Sequence, residues 1–497
     1  VESKVTRTEN TKGHRAENAR WHDWLFHSVD GAWLAAFRVL FGIAIGISML
    51  RFLAYGWVDR LFVQPAFQFK YWGFGWVERL PAPWMQAVFV LLAVSAAAVA
   101  AGFMFRLFAV VLTLGLFYFQ LLDVSTYLNH YYLAALFCGL LAISPAGKRF
   151  SVDNWLRRRK GMDVDVSPWI PVGWLYLFRF QVGLVYTYAG LAKLQSDWLI
   201  HAQPLRIWLG ANTELPIIGP LFTIEGVPLI MSWCGFLFDS TIAGWLSWKK
   251  TRPFAYLAVI VFHVMTRILF PIGMFPVFMV LAAMVFFEPT WPRDLVARLA
   301  RVAQRLRLMT LAAKVANLAV RVTSMAPRPE VPLPSTRFYR AGFAVLGVYC
   351  AVQLLMPLRF LAYGGNVLWH EQGMRYSWRV MVRAKGGSTV FNVRNPATGQ
   401  TWIVKPHEYL NDMQASEMSS QPDLIVQMAH HIRDDFEAKG LGPVEVRVDA
   451  RVALNGRRSA PFIDPDVDLS RVSDGLSLAH YVLPAPSESP AHTRPVL

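Results

Sequence analysis

The sequence predicts a mainly α protein: a polytopic helical membrane bundle of about nine transmembrane helices, followed by a small α+β extramembrane domain. Three observations predict it. The 497 residues are 55% hydrophobic and only 16% charged, against about 45–50% and about 25% in ordinary soluble chains. So little charge cannot coat a water-soluble enzyme of this length. Long apolar runs nearly free of charge recur along the chain, and the basic residues that give a net charge of +16 gather in alternate connections between them.

The spans are expected near 32–54, 86–105, 107–122, 131–146, 170–192, 227–247, 254–270, 272–289 and 338–356. Some fall short of the roughly 20 residues that cross a bilayer, so seven to nine is the expected range. The first is not expected to be a cleaved signal peptide, because a polar stretch precedes it and no small-residue cleavage site follows. Lys4, Arg7, Lys12, Arg15 and Arg20 mark the leading basic tail, 1–30. Lys148, Arg149 and Arg157 to Lys160 fill the fourth-to-fifth connection, and Lys249, Lys250 and Arg252 the sixth-to-seventh. The alternate connections are poor in Lys and Arg, which places the N-terminus in the cytoplasm and the C-terminal region outside.

Within the membrane domain, 31–356, the stretch 290–330 alternates Arg with Leu, Val and Ala at helical spacing. It reads as a basic amphipathic segment on the anionic inner face, in contact with membrane lipids. No recognition motif accompanies it, so no nucleic acid is expected as a partner. Beyond 357 the runs STVFNVRN, QTWIVKP and VEVRVDARVAL alternate as half-buried strands do, with NPATG and LNG as turns. MQASEMSSQPDLIVQMAHHIRDDFEAKG reads as one or two helices closed by Gly440. An outer-face α+β domain is therefore expected over 357–483, with a disordered Pro- and Ser-rich tail over 484–497. Cys138, Cys234 and Cys350 fall in spans and make no disulfide framework or thiolate site.

In an apolar bundle the costly residues are the informative ones. They are Arg38, Asp123, Asn129, His130, Arg179, Gln181, Tyr186, Lys193, Asp239 and His263. The expected topology brings Asn129, His130 and Lys193 to one outer level. Arg38 is expected to form a structural ion pair with Asp123 or Asp239. Taken singly, Lys193 reads as a snorkelling cation, and His130 and His263 as satisfied core imidazoles. Taken together, they describe a site in which a desolvated lysine takes a proton from a phenol-like group, since burial disfavours an ammonium. A lipid-soluble quinol would reach such a site through the bilayer.

The words FRVLFG, NHYYL, FSVDNWL, VYTYAGLAKLQSDW, FHVMTRILFPIGMF, YSW and FIDPDVDL follow one another in that order. From about residue 30 to 470 the chain resembles the vitamin K-dependent gamma-glutamyl carboxylase family and its bacterial homologues, which share the HTTM membrane domain. The resemblance implies a carbon–carbon lyase that oxidises vitamin K hydroquinone with O2 to the 2,3-epoxide. The strongly basic species formed on the way removes a gamma proton from peptide glutamate, and the carbanion adds CO2. It implies no biotin and no metal. It assigns Lys193 as the base and His130 as the stabiliser of the carbanion, with Asn129 beside it. His263, Tyr186, Arg179 and Trp378 are expected in or near the quinol pocket. The implied partners are a Glu-containing protein or peptide and a quinone-reducing enzyme.

Three departures bear on this. The chain stops about thirty residues after its DPDVD word, short of the animal enzymes, which puts propeptide-directed recognition in doubt. The cysteine pair that ties the outer region to the membrane domain in those enzymes is absent, and Tyr127 and Leu128 precede the NH word. A quinol epoxidase without glutamate carboxylation stays open, as does a quinone-binding scaffold or transporter, although no internal repeat supports the last.

Overall fold

The apolar runs form helices in the computed structural model, which describes residues 25–162, 167–305 and 336–491. In chain order they are α1 (Ala32–Ala54), α2 (Ala82–Ala101), α3 (Phe105–Leu122), α4 (Asn129–Ile143), α5 (Gly173–Lys193), α6 (Val227–Ser247), α7 (Arg252–Leu269), α8 (Phe275–Ala283), α9 (Trp291–Arg305) and α10 (Thr336–Leu355). Every expected span is helical, but fewer are long and apolar enough to cross a membrane. Among the described residues there are six, or seven if the bent pair of α8 and α9 counts as one.

The lower count has local causes. α4 has 15 residues, about 22 Å at 1.5 Å each, against a hydrocarbon core of about 30 Å. α5 is 21 residues long, but Arg179, Gln181 and Lys193 dilute its apolar sequence. α8 runs for nine residues into a tight turn over Met284–Phe286, and the chain then bends by 96° into α9. α9 carries the basic amphipathic sequence expected there. The rest of that segment lies outside the described residues, as does the basic tail up to residue 24.

Packing within the bundle is tight and aromatic. Phe37, Phe41, Phe137 and Phe178 meet at centroid distances of 5.0 to 5.6 Å, within the favourable range for offset and edge contacts. Gly42 lets α1 approach α2 so closely that a Cβ would lie 3.0 Å from Ala96 and Ala100. Close backbone contact of this kind holds helices together where lipid removes the hydrophobic drive. The outward faces expose Leu50, Leu91, Leu114 and Leu257, as a lipid-facing surface does.

At one end of the bundle, strand β1 (Ser28–Asp30) pairs antiparallel with β2 (Trp169–Pro171), tying the starts of α1 and α5 together. Arg293 of α9 closes on the buried Asp30. The ion pair expected for Arg38 does not form. Its guanidinium donates instead to the Ala146 and Phe150 carbonyls at 3.1 and 2.7 Å. Asp123 accepts from Ser125 and Gln414, and Asp239 has another partner.

The C-terminal unit, termed the outer unit after the side of the membrane expected from the sequence, contains a four-stranded antiparallel sheet in the order β4-β3-β5-β6, with β3 (Lys385–Arg394), β4 (Thr401–Val404), β5 (Glu445–Leu454) and β6 (Ala460–Pro461). These are the three predicted alternating runs plus a short edge strand. The long pairing of β3 with β5 runs from Lys385 opposite Leu454 to Arg394 opposite Glu445. Alternation puts Phe391, Val393, Val446 and Val448 on the buried face. There they meet Leu424, Ile425, Met428 and Ile432 of α12 (Pro422–Ala438), which follows α11 (Asp412–Met418). The predicted helical stretch is thus two helices, and Gly440 follows the second at φ +70°.

Polar contacts fasten this unit to the bundle. Asp197 receives Arg457 through two 2.7 Å bonds and Asn455 through one of 2.9 Å. Gln414 reaches Asp123 at 2.8 Å, and the Tyr376 amide donates to the Tyr127 hydroxyl at 2.9 Å. The tail expected to be disordered lies along the unit as far as Glu488, whose carbonyl accepts from Arg457 at 2.8 Å.

Candidate active site

Tyr186 and Lys193 are seven residues apart on α5, so two helical turns put both on one face. That face looks into a cavity of about 360 Å³ closed by α6, α7 and α8. Its walls are apolar and ring-rich, with Trp198, Phe238, Phe262 and Phe275 among them. The lining extends to Cys234 and Val261, which are exposed on the lipid-facing side. A cavity of this size and character suits a small, flat, apolar molecule with few polar groups.

The polar groups stand as two pairs. The Tyr186 hydroxyl lies 3.1 Å from Nε2 of His263, and both side chains are buried. Lys193 is not the isolated cation expected from its neighbours in sequence. Its Nζ is 2.8 Å from Oδ2 of Asp239 on α6, and the two side chains are only 5% and 7% exposed. It also donates to the carbonyls of Ala189 and Val380 at 3.2 and 3.3 Å, and it lies 5.1 Å from the Trp198 ring centroid. Three acceptors match the three donors of an ammonium. Asp239, read from sequence only as a possible partner for Arg38, is a site residue that sequence reasoning missed. No short-range signal links it to Lys193, because the contact crosses between helices.

The Val380 carbonyl arrives from the outer unit. Residues 376–381 turn sharply, with Tyr376, Trp378 and Met381 at φ of +61°, +58° and +55°. Such conformations are costly for residues with side chains and persist only where the surroundings impose them. Trp378 provides one such constraint: it is wholly buried and stacks on Tyr132 with centroids 5.1 Å apart. It shapes the wall from behind and does not line the cavity.

A second cavity, of about 400 Å³, lies on the other side of this turn. Tyr127 and Asn129 line it from the start of α4, and Arg375, Arg379 and Glu417 from the outer unit. Met381 borders both cavities. Arg375 pairs with Asp423 at 2.5 Å. Burial opposes the charged carboxylate, yet the arginine holds Asp423 below its ordinary range. The charged residues of this cavity were also missed. They are scattered in sequence and read singly as outer-domain charge.

The remaining predicted residues divide. Asn129 faces the second cavity, its Oδ1 accepting from the Tyr127 hydroxyl at 2.8 Å. His130 is buried beside it, with its ring against Tyr131 and about 3.5 Å from where a Cβ on Gly273 would stand. Arg179 is not brought to the site. It lies fourteen residues before Lys193 on the same helix, about 20 Å away at 1.5 Å per residue. There it donates to the carbonyls of Val285, Phe286 and Phe287, satisfying the backbone where α8 ends.

Two family models match the chain: the HTTM domain over residues 26–291 and the lumenal domain of vitamin K-dependent gamma-carboxylase over residues 339–488. No solved structure matches.

Proposed function

The chain belongs to the vitamin K-dependent gamma-carboxylase family, and from that membership we propose that it is a membrane-integral gamma-glutamyl carboxylase coupled to vitamin K epoxidation. The observation that carries the reading is the Lys193–Asp239 pair, held at the wall of an apolar, ring-lined cavity that reaches the lipid-facing surface. Reduced vitamin K fits that cavity in character, flat and apolar with oxygens at two ends. Oxidised by O2 to its 2,3-epoxide, it supplies the strong base that glutamate demands.

The residues divide the work as follows. With one proton passed to Asp239, the Lys193 amine can turn its lone pair to the cavity once it gives up one of its two carbonyl bonds, to Ala189 or to Val380. It then takes a proton from the quinol hydroxyl, so that the ammonium that forms is paired with the quinolate while Asp239 keeps the first proton. Tyr186 and His263 hold the second oxygen, and the apolar rings exclude water. General-base catalysis alone contributes about 10²–10⁴-fold, too little for a C–H as weakly acidic as the gamma position, which is why the quinol oxidation is needed. The glutamate side chain enters the second cavity, and Met381 separates the two reactions by one side chain. Asn129 lines that cavity and His130 is buried beside it, outside the lining of either cavity. The family resemblance assigns the pair to stabilising the carbanion, and Trp378 holds the turn that carries Val380 and Met381. The basic connections favour a cytoplasmic N-terminus, with the outer unit and the active site on the periplasmic or lumenal side.

The test is an assay of purified protein with reduced vitamin K, radiolabelled bicarbonate and a Glu peptide. Wild type is expected to form epoxide and fix CO2, and Lys193→Ala to do neither. His130→Ala is expected to lose CO2 fixation while keeping much of the epoxidation. Wild-type epoxidation in the Lys193→Ala variant would remove the lysine from its role. Epoxide without fixed CO2 in the wild type would make the protein a quinol epoxidase instead.

A further inference from the structure

Among the charged side chains that line the second cavity, all but one are balanced; Arg359, which also lacks a carboxylate, lies behind the lining and donates to the Arg375 carbonyl. Arg375 is paired with Asp423. Arg383 and Lys385 both reach Glu371, and together these two cations balance Glu371 and the nearby Glu417. Arg379 remains. Among the described residues it has no ion pair and no side-chain hydrogen bond, and its Nε–H is buried without a partner. Phe360 covers one face of its guanidinium, 4.0 Å from ring centroid to Cζ. Burial with no carboxylate beside it pulls this arginine down to about 10. Half-buried, with its Nε–H shut away from any partner, this cation lacks the anion that would offset its desolvation, and it lines a cavity large enough to receive one.

A second donor faces the same space. The Tyr127 hydroxyl accepts from the Tyr376 amide at 2.9 Å, so its own hydrogen goes to Asn129 Oδ1 at 2.8 Å. That fixes the orientation of the Asn129 amide. Its Nδ2 is left as a donor with no partner among the described residues, on a side chain that lines the cavity.

We propose that Arg379, assisted by the Asn129 amide, is the receptor for the carboxylate of the substrate glutamate and sets the preference for glutamate over glutamine. This rests on the reading of the protein as a glutamyl carboxylase. A planar guanidinium with free N–H edges binds a carboxylate through two parallel bonds. A neutral amide in the same place would present its own N–H groups to the guanidinium and leave donors unpaired.

The test is binding, without turnover. Full-length protein in detergent micelles is titrated with a fluorescent Glu peptide and with its Gln counterpart, followed by anisotropy. Wild type is expected to prefer the Glu peptide by at least about tenfold. Arg379→Gln is expected to erase that preference while binding the Gln peptide as wild type does, which also reports an intact fold. Arg379→Lys, a point charge without the fork, is expected to recover part of it. A Glu preference that survives in Arg379→Gln overturns the inference, as does a wild type with no preference. Arg379-dependent Glu binding in a protein that fixes no CO2 would sustain the inference while refuting the carboxylase reading.

Discussion

Removing one member of the Lys193–Asp239 pair should destabilise the bundle more than removing both. At 2.8 Å the two charges attract by about 6 kcal/mol in an effective dielectric of about 20. Withdrawing each ion from water costs several kcal/mol, so the intact pair contributes little net stability. Breaking it leaves one buried charge uncompensated, at about 3–5 kcal/mol. Lys193→Met and Asp239→Leu are each expected to lose that much, and the double variant to return close to wild type. At about 2 °C per kcal/mol for a large domain, each single variant should melt about 6–10 °C lower. The assay is thermal unfolding in detergent micelles by tryptophan fluorescence. A double variant that loses the sum of the two single effects would refute the reasoning, since independent sites add and coupled ones do not.

Three further outcomes are expected. Gly273 has φ +61°, and a Cβ there would meet the His130 ring at 3.5 Å, an ordinary contact, so Gly273→Ala should cost about 1 kcal/mol of backbone strain, and relaxation of that strain would move the surface packed against the imidazole. CO2 fixation should then fall further than epoxidation, and an equal fall in both would count against His130's separate role. Burial, with Asp423 nearby, raises the Asp474 carboxyl to about 6, above the ordinary value of about 3.9. The folded state thus binds the extra proton, and this group's contribution to stability falls as pH rises from about 4 to about 6. Asp474→Asn should raise the melting temperature at about pH 7.5 but not below about pH 4, and an unchanged pH profile would contradict the assignment. Arg457 joins the outer unit to Asp197 of the bundle, so Arg457→Met should speed amide exchange in β5 at the docking face and leave α1 protected. Unchanged exchange in β5 would show that the unit is held by other contacts.

The sequence disclosed elements better than it disclosed contacts. Apolar runs located each helix, and strict alternation located the three main strands, because both patterns are local. The number of membrane crossings was harder to read, since hydropathy does not show where α4 begins or that α8 breaks after nine residues. Lys193 was legible as a costly residue, but its relation to Asp239 depends on how α5 packs against α6. The Arg38 expectation failed for the same reason: backbone carbonyls at Ala146 and Phe150 were acceptors that composition does not advertise. Arg179 was a different error. Helical rise alone places it far from Lys193, so the spacing within α5 already argued against a shared pocket. Arg379 lay unnoticed because an unpaired charge is visible only once every pair around it has been drawn.

The carbonyl of Val380 reaches Lys193 from the far module, while Asp239 reaches it from the near one. Neither the membrane domain nor the outer domain therefore completes the surroundings of Lys193 by itself. A chimera that exchanges outer domains between relatives would have to carry the 376–381 turn and its partners Tyr132 and Tyr127 as one inheritance unit. The two halves must accordingly diversify in step, with freedom to vary concentrated away from their seam.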